Sequence, residues 1–141
     1  MKLLLIHADK MEYKVTGKTP LAEQLDTIPE SASFEELLVV FSAVEKYDEF
    51  VEKNVAHQAA NEIHNVLSKI NANRVLVYPY AHLSSVLSSK ETALTVLNNL
   101  VNELSSKNIE VYRAPFGYYK SFNIICKGHP LSELSKSIIV T

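Results

Sequence analysis

A chain of 141 residues, 47% of them hydrophobic, is one domain with enough apolar surface for a single buried core. A charged fraction of 21% and a net charge of −2 argue against disorder, and against a protein that grips nucleic acid along an extended basic face. The lone Cys126 excludes an internal disulfide and fits a reducing compartment, and no stretch approaches the ~20 apolar residues of a membrane span, so a cytoplasmic chain is expected.

The opening "MKLLLIHADK" has the lysine and apolar run of a signal peptide, but the run is too short and no small-residue cleavage site follows. It predicts a first strand buried on both faces, which "MEYKV" extends or pairs back upon. Residues 16–33, with Gly17, Pro20 and Pro29, read as a loop with room for one short helical turn. "LLVVFSAVEK" predicts the second strand. Residues 55–70 predict an amphipathic helix whose stripe runs through Ala56, Ala59, Ala60, Ile63, Val66, Leu67 and Ile70. "RVLVYPY" predicts a third strand, stopped near Pro79. Ser88 and Glu91 form a capping-box pattern ahead of a helix carrying Leu94, Leu97, Leu100, Val101 and Leu104. "IEVYRAP" and "YYKSFNIICK" predict two further strands joined through Phe116-Gly117, and Pro130 suits the first position of a last helix through Leu131, Leu134 and Ile138. The order ββαβαββα predicts an α/β domain with a mixed sheet, parallel where helices act as crossovers.

Several chemistries find no support. There is no glycine-rich phosphate loop and no nucleophile elbow. His57 and His64 share a helix face without a third ligand at metal spacing and read as a solvated pair, so no metal or cofactor is expected. His7 reads as a strand-end or core histidine and Cys126 as a small core residue.

Two stretches stand out. "YPYAHLSS", Tyr78 to Ser85, follows a predicted strand end, where α/β domains place binding groups, and puts His82 on a short loop fixed by Pro79. "APFGYYKSFNIICKGHPLSEL", residues 114–134, gathers two of the three glycines and two of the five prolines. Gly117 offers a tight turn or a close backbone approach, and Tyr119 and Lys120 point to opposite faces of a strand. Glu133 sits in the first turn of the predicted last helix, where the dipole alone favours a carboxylate. Read by themselves, Lys120 is equally a solvated sheet lysine and His82 a loop histidine without a role.

Together and in order, "LLLIHADKMEYKV", "VYPYAHLSS", "APFGYYKSF" and "CKGHPLSELS" resemble the N-terminal editing domain of archaeal threonyl-tRNA synthetase, which shares its fold with the D-aminoacyl-tRNA deacylases. The resemblance runs end to end, apart from the loop of residues 16–33. It implies a homodimeric hydrolase that removes serine from mischarged seryl-tRNA; a chain of residues 1–141 suits a domain excised from the N-terminus of a longer synthetase and equally a short natural protein. Such an activity is needed because a missing methyl is worth only about 1–3 kcal/mol in a binding pocket.

The resemblance also implies roles. Ala81 acts through its backbone in the amino-acid pocket, and Tyr119 forms part of the wall. His82 and Lys120 hold the substrate or the attacking water, and Glu133 fixes the amino group or braces the lysine. The terminal ribose 2′-hydroxyl of the tRNA takes part. No nucleophile stands out, which favours direct attack by water. Lys120 is expected to stay a cation, because a lysine base needs deep burial or a neighbouring cation. With only Arg74 and Arg113 as arginines, tRNA contact is expected at the terminal adenosine alone, resting on Tyr78, Tyr80 and Phe116 beside Gly117. Three alternatives stay open: a free-standing D-aminoacyl-tRNA deacylase, a non-catalytic docking or dimerisation module, and a domain whose "GYYK" strand is simply a sheet edge.

Overall fold

The computed structural model describes residues 1–140. Six strands form one mixed sheet: β1 (Lys2–Lys18), β2 (Ser31–Ala43), β3 (Arg74–Pro79), β4 (Glu110–Arg113), β5 (Tyr118–Cys126) and β6 (Glu133–Ser137). Helices α1 (Glu52–Ile70) and α2 (Lys90–Ser105) are the crossovers, and single 3₁₀ turns occupy Lys46–Asp48 and Ala81–Leu83. The strand order is β4-β3-β2-β1-β5, with β6 also on β1. β1 meets β2, β5 and β6 antiparallel, whereas β2–β3 and β3–β4 are parallel. The expected mixed α/β sheet is therefore the observed one.

β2 and β3 read as unbroken apolar runs because both faces of the sheet are covered. On one face Leu3, Leu5, Leu38, Val40, Val75 and Val77 pack under the two helices. The α1 stripe meets them with Ala56, Ala59, Ala60 and Ile63, all fully buried. On the other face Met11, Tyr13, Val39, Phe41, Leu76 and Tyr78 make a second core without a helix over it. The sheet curls to close that core. Phe122 on β5 lies 5.6 Å, ring to ring, from Tyr78 on β3, although two strands intervene in the sheet order. A flat sheet with strands about 4.8 Å apart would forbid that contact. Two bulges let β1 bend: Asp9 and Thr16 have no partner on β5.

Of the two readings of "MEYKV" the extension holds: β1 is one strand of 17 residues. Three expectations are corrected. The first loop is shorter than residues 16–33, because β1 runs to Lys18 and β2 begins at Ser31. The cap of α2 is Ser89, whose hydroxyl accepts from the Thr92 N–H at 3.2 Å; Ser88 donates instead to the Ser89 carbonyl. The largest correction is the last element, which is strand β6 and no helix. Leu134 and Ile138 are four apart, a spacing that helix and strand share, and the free edge of β1 decides between them. Lys2–Ile6 pair with Ser137–Glu133 along that edge. β4 and β5, close in sequence, lie at opposite ends of the main strand path.

Candidate functional site

A cleft of about 590 Å³ opens beyond the ends of the parallel strands β2 and β3. Ser42–Val44 and Tyr78–His82 form one side, Phe116–Lys120 the other, and Thr19–Leu21 and α2 close the ends. This is the place where α/β sheets collect ligands. Its floor is aromatic. Tyr78, Tyr80 and Phe122 line it, and the buried Phe41 beneath them lies at ring separations of 5.2, 5.0 and 5.6 Å.

Two lysines line the cleft: Lys90 on α2, whose Nζ donates to the Ala22 carbonyl at 3.1 Å, and Lys120. The Lys120 Nζ donates to the Pro115 carbonyl at 2.7 Å and the Tyr118 carbonyl at 3.3 Å, and sits 5.0 Å from the centre of the Tyr78 ring. Burial pushes its pKa down to about 8, with Glu23 pulling upward and Arg113 adding to the fall. At pH 7 the ammonium still outnumbers the amine about tenfold. Phe122, two residues on, shares its face, as the period of a strand requires.

Tyr119 is exposed at the rim, paired in register with Gly17, beside the Thr16 bulge. A side chain at Gly17 would come within 3.3 Å of the Tyr119 ring. Across the cleft, the turn Ala81–Leu83 exposes Ala81 and His82. It is anchored by Tyr80, whose N–H donates to the Ser42 carbonyl at 2.8 Å. The His82 ring stands edge-on to Tyr80 at 5.0 Å. Beyond it, the Ser84 hydroxyl donates to Glu45 at 2.6 Å, and Glu45 and Asp48 hold the buried amine of Met1, each at 3.1 Å.

Gly117 has φ +83°, and a Cβ there would meet the Leu21 carbonyl oxygen at 2.5 Å. Its role is a close approach to the chain's own loop. The Gly117 carbonyl accepts from both the N–H and the hydroxyl of Thr19, at 3.0 and 2.6 Å.

Tyr80, Ala81, His82, Phe116, Gly117, Tyr119 and Lys120 all line this cleft, as does Tyr78. Glu133 does not. It stands exposed at the start of β6, opposite Ile6, so its place in a helix first turn is overturned and its catalytic assignment rests on the resemblance alone. His57 is exposed and faces Glu103 at 3.2 Å. His7 is buried and bonded to His129, Nδ1 to Nε2 at 2.7 Å. Cys126 is half-buried rather than core, with its Sγ 3.5 Å from the Ser132 hydroxyl. Sequence reasoning missed Glu23 and Arg113, a buried pair at 2.6 Å that ties the first loop to the cleft wall. Glu23 lies in a loop without periodicity, where nothing local distinguishes it. Among the described residues no cluster of three or more metal-ligating side chains occurs, and no helix is long and apolar enough to cross a membrane.

Residues 1–138 match the family model of the archaea-specific editing domain of threonyl-tRNA synthetase. The threonine–tRNA ligase of Methanothrix thermoacetophila is 53% identical over 138 residues, covering 98% of this chain and 22% of that protein. The ligase of Methanococcus aeolicus is 51% identical over the same shares. That of Thermococcus sibiricus is 45% identical over 140 residues, 99% of this chain and 22% of the ligase. The chain thus spans about a fifth of the length of these relatives. Among solved structures, the c-Myc DNA unwinding element binding protein superposes with a TM-score of 0.66 over 97% of this chain and 98% of that one. At 13% identity that likeness concerns the fold alone.

Proposed function

Because this chain belongs to the archaea-specific editing-domain family of threonyl-tRNA synthetase, we propose that it hydrolyses the ester of L-seryl-tRNA as part of a longer synthetase. The observation that carries this reading is the Lys120 ammonium, held by two carbonyls at an aromatic cleft and facing the loop of His82. A water attacks the seryl carbonyl carbon. The carbon–oxygen bond to the ribose breaks, serine leaves as its acid, and the ribose oxygen takes up a proton. Lys120 stabilises the negative charge that develops on the carbonyl oxygen, in a setting where burial strengthens the interaction. His82 orients the water or the ester, and Tyr119 and the Ala81 backbone border the serine side chain. The tRNA's own 2′-hydroxyl supplies the proton relay, which leaves the protein the task of position and charge.

The terminal adenosine rests against Tyr80 and Phe116, which are half-buried and keep surface at the cleft. Tyr78 is only 2% exposed and serves as floor beneath the lysine. The cleft volume lies within the range of small-ligand sites and suits a seryl group with part of its nucleoside. A second copy of the chain and the rest of the synthetase complete the working assembly. Tethering to that enzyme offsets the weak electrostatic hold of an acidic domain on tRNA.

Parallel deacylation of L-seryl-, L-threonyl- and D-aminoacyl-tRNA by the chain and its Lys120→Met variant tests the proposal. Loss of L-serine, slowed at least a hundredfold in the variant, is the expected result. Preferential loss of the D-amino acid, or equal rates in the two proteins, refutes it.

A further inference from the structure

The loop between β1 and β2 holds none of the four sequence blocks singled out above, yet one of its residues organises the lysine side of the cleft. Glu23 is 10% exposed at its side chain and Arg113 8%. The Arg113 guanidinium donates to both carboxylate oxygens, at 2.6 and 2.8 Å. The same carboxylate accepts the Phe116 N–H at 2.6 Å. Backbone bonds continue the clamp: the Glu23 N–H donates to the Phe116 carbonyl at 3.1 Å, and the Tyr118 hydroxyl to the Glu23 carbonyl at 2.6 Å. Residues 113–118 are thereby held at four points by a single loop residue. Two carbonyls of that segment, Pro115 and Tyr118, are the hydrogen-bond acceptors of the Lys120 ammonium.

The geometry points to Glu23 as a positioning residue for Lys120: by gripping Arg113 and the Phe116 N–H it fixes the two carbonyls that aim the ammonium into the cleft. A bidentate arginine–carboxylate pair suits this task because its fork allows one orientation. It costs desolvation that a merely packed loop would avoid. The charge acts in the same direction as the geometry. Glu23 pulls the Lys120 pKa upward; in turn, against the upward push of burial, Arg113 first, then the Phe116 N–H and last Lys120 hold Glu23 below the usual carboxylate range. Glu23 therefore both places the ammonium and keeps it protonated.

The inference rests on the deacylase reading for its consequence in catalysis, but its first test does not. The Lys120 Nζ signal is titrated by NMR in the parent chain and in Glu23→Gln. The expected result is a downward shift of about one pH unit in the variant. An unmoved titration in a folded Glu23→Gln overturns the proposal, whether or not the chain hydrolyses seryl-tRNA.

Glu23→Asp is the second variant, because it keeps the buried charge and the partner of Arg113. It falls one methylene short of reaching both Arg113 and the Phe116 N–H. Its kcat for seryl-tRNA is expected to fall about tenfold to a hundredfold, with KM within about twofold of the parent. An unchanged kcat overturns the positioning role. A parent chain that hydrolyses nothing, with the NMR shift present, refutes the deacylase reading and leaves the positioning of Lys120 standing.

Discussion

Gly117→Ala, set beside Gly128→Ala, separates backbone strain from steric collision. Both glycines have positive φ, +83° and +76°. An alanine forced into that region costs about 1–2 kcal/mol relative to glycine. At Gly128 nothing lies within 4 Å of the added methyl, so that cost is the whole effect. At Gly117 the methyl would lie 2.5 Å from the Leu21 carbonyl oxygen and 2.6 Å from the Ala22 Cα. Both are backbone atoms and no rotamer relieves the contact, so the loop must lift. Lifting removes the two bonds from Thr19 to the Gly117 carbonyl, each worth about 1 kcal/mol. The expected losses are about 3–4 kcal/mol at Gly117 and about 1–2 kcal/mol at Gly128. At about 4 °C per kcal/mol for a chain of this size, thermal melts should fall by about 12–16 °C and about 4–8 °C. The Gly117 variant should also lose deacylation at temperatures where it remains folded, because the lifted loop is a cleft wall. Equal melting temperatures for the two variants would refute the collision argument.

With Lys120 lowered from 10.5 to about 8, deacylation should fall about tenfold per pH unit above 8, a limb that Lys120→Met should lack. Stability moves the other way: between about 8 and 10.5 the unfolded chain still binds the proton that the folded chain has released, so this lysine's burial penalty fades as pH rises. Urea midpoints of parent and Lys120→Met at pH 8 and 9.5 check the sign. A second titration concerns His7. The Leu131 N–H donates to His129 Nδ1 at 3.2 Å, so the proton shared with His7 Nδ1 at 2.7 Å is donated by His129 Nε2 and His7 Nδ1 accepts it. Burial, His129 and Lys127 lower the His7 pKa, while Glu36 and Asp9 oppose them. The unfolded state then binds more protons below pH 6.5, and stability should drop from pH 7 to pH 5. His7→Gln should flatten that slope in urea unfolding, and an unchanged slope would contradict the tautomer assignment.

The cleft was legible where chemistry is local. Pro79 stops a strand, Gly117 needs positive φ, and Tyr119 and Lys120 adjoin; each is visible in a few residues, and all of them line one cavity. Non-local terms were hidden. Glu23 matters only because Arg113 and Phe116 fold against it across about ninety residues of chain. The last strand was misread for a similar reason. "HPLSELSKSI" satisfies helix rules by itself, and only the unfilled edge of β1 selects the extended form. Ser89 replaced Ser88 as cap because neighbouring serines offer the same hydroxyl, and the entry angle of the chain decides between them.

β1 shares one edge between two late partners, with Lys2 opposite Ser137 and Lys18 opposite Tyr118. During synthesis β1, which precedes the domain's other strands, must therefore wait for almost the whole domain before its second edge is covered. Such long-range closure makes for slow folding and a prolonged exposure of unpaired strand. The Lys120 strand docks on that same edge. A nascent domain halted before β5 would hold the His82 loop and both helices yet lack the lysine side of the cleft, so hydrolytic competence should arrive late and abruptly with the last strands.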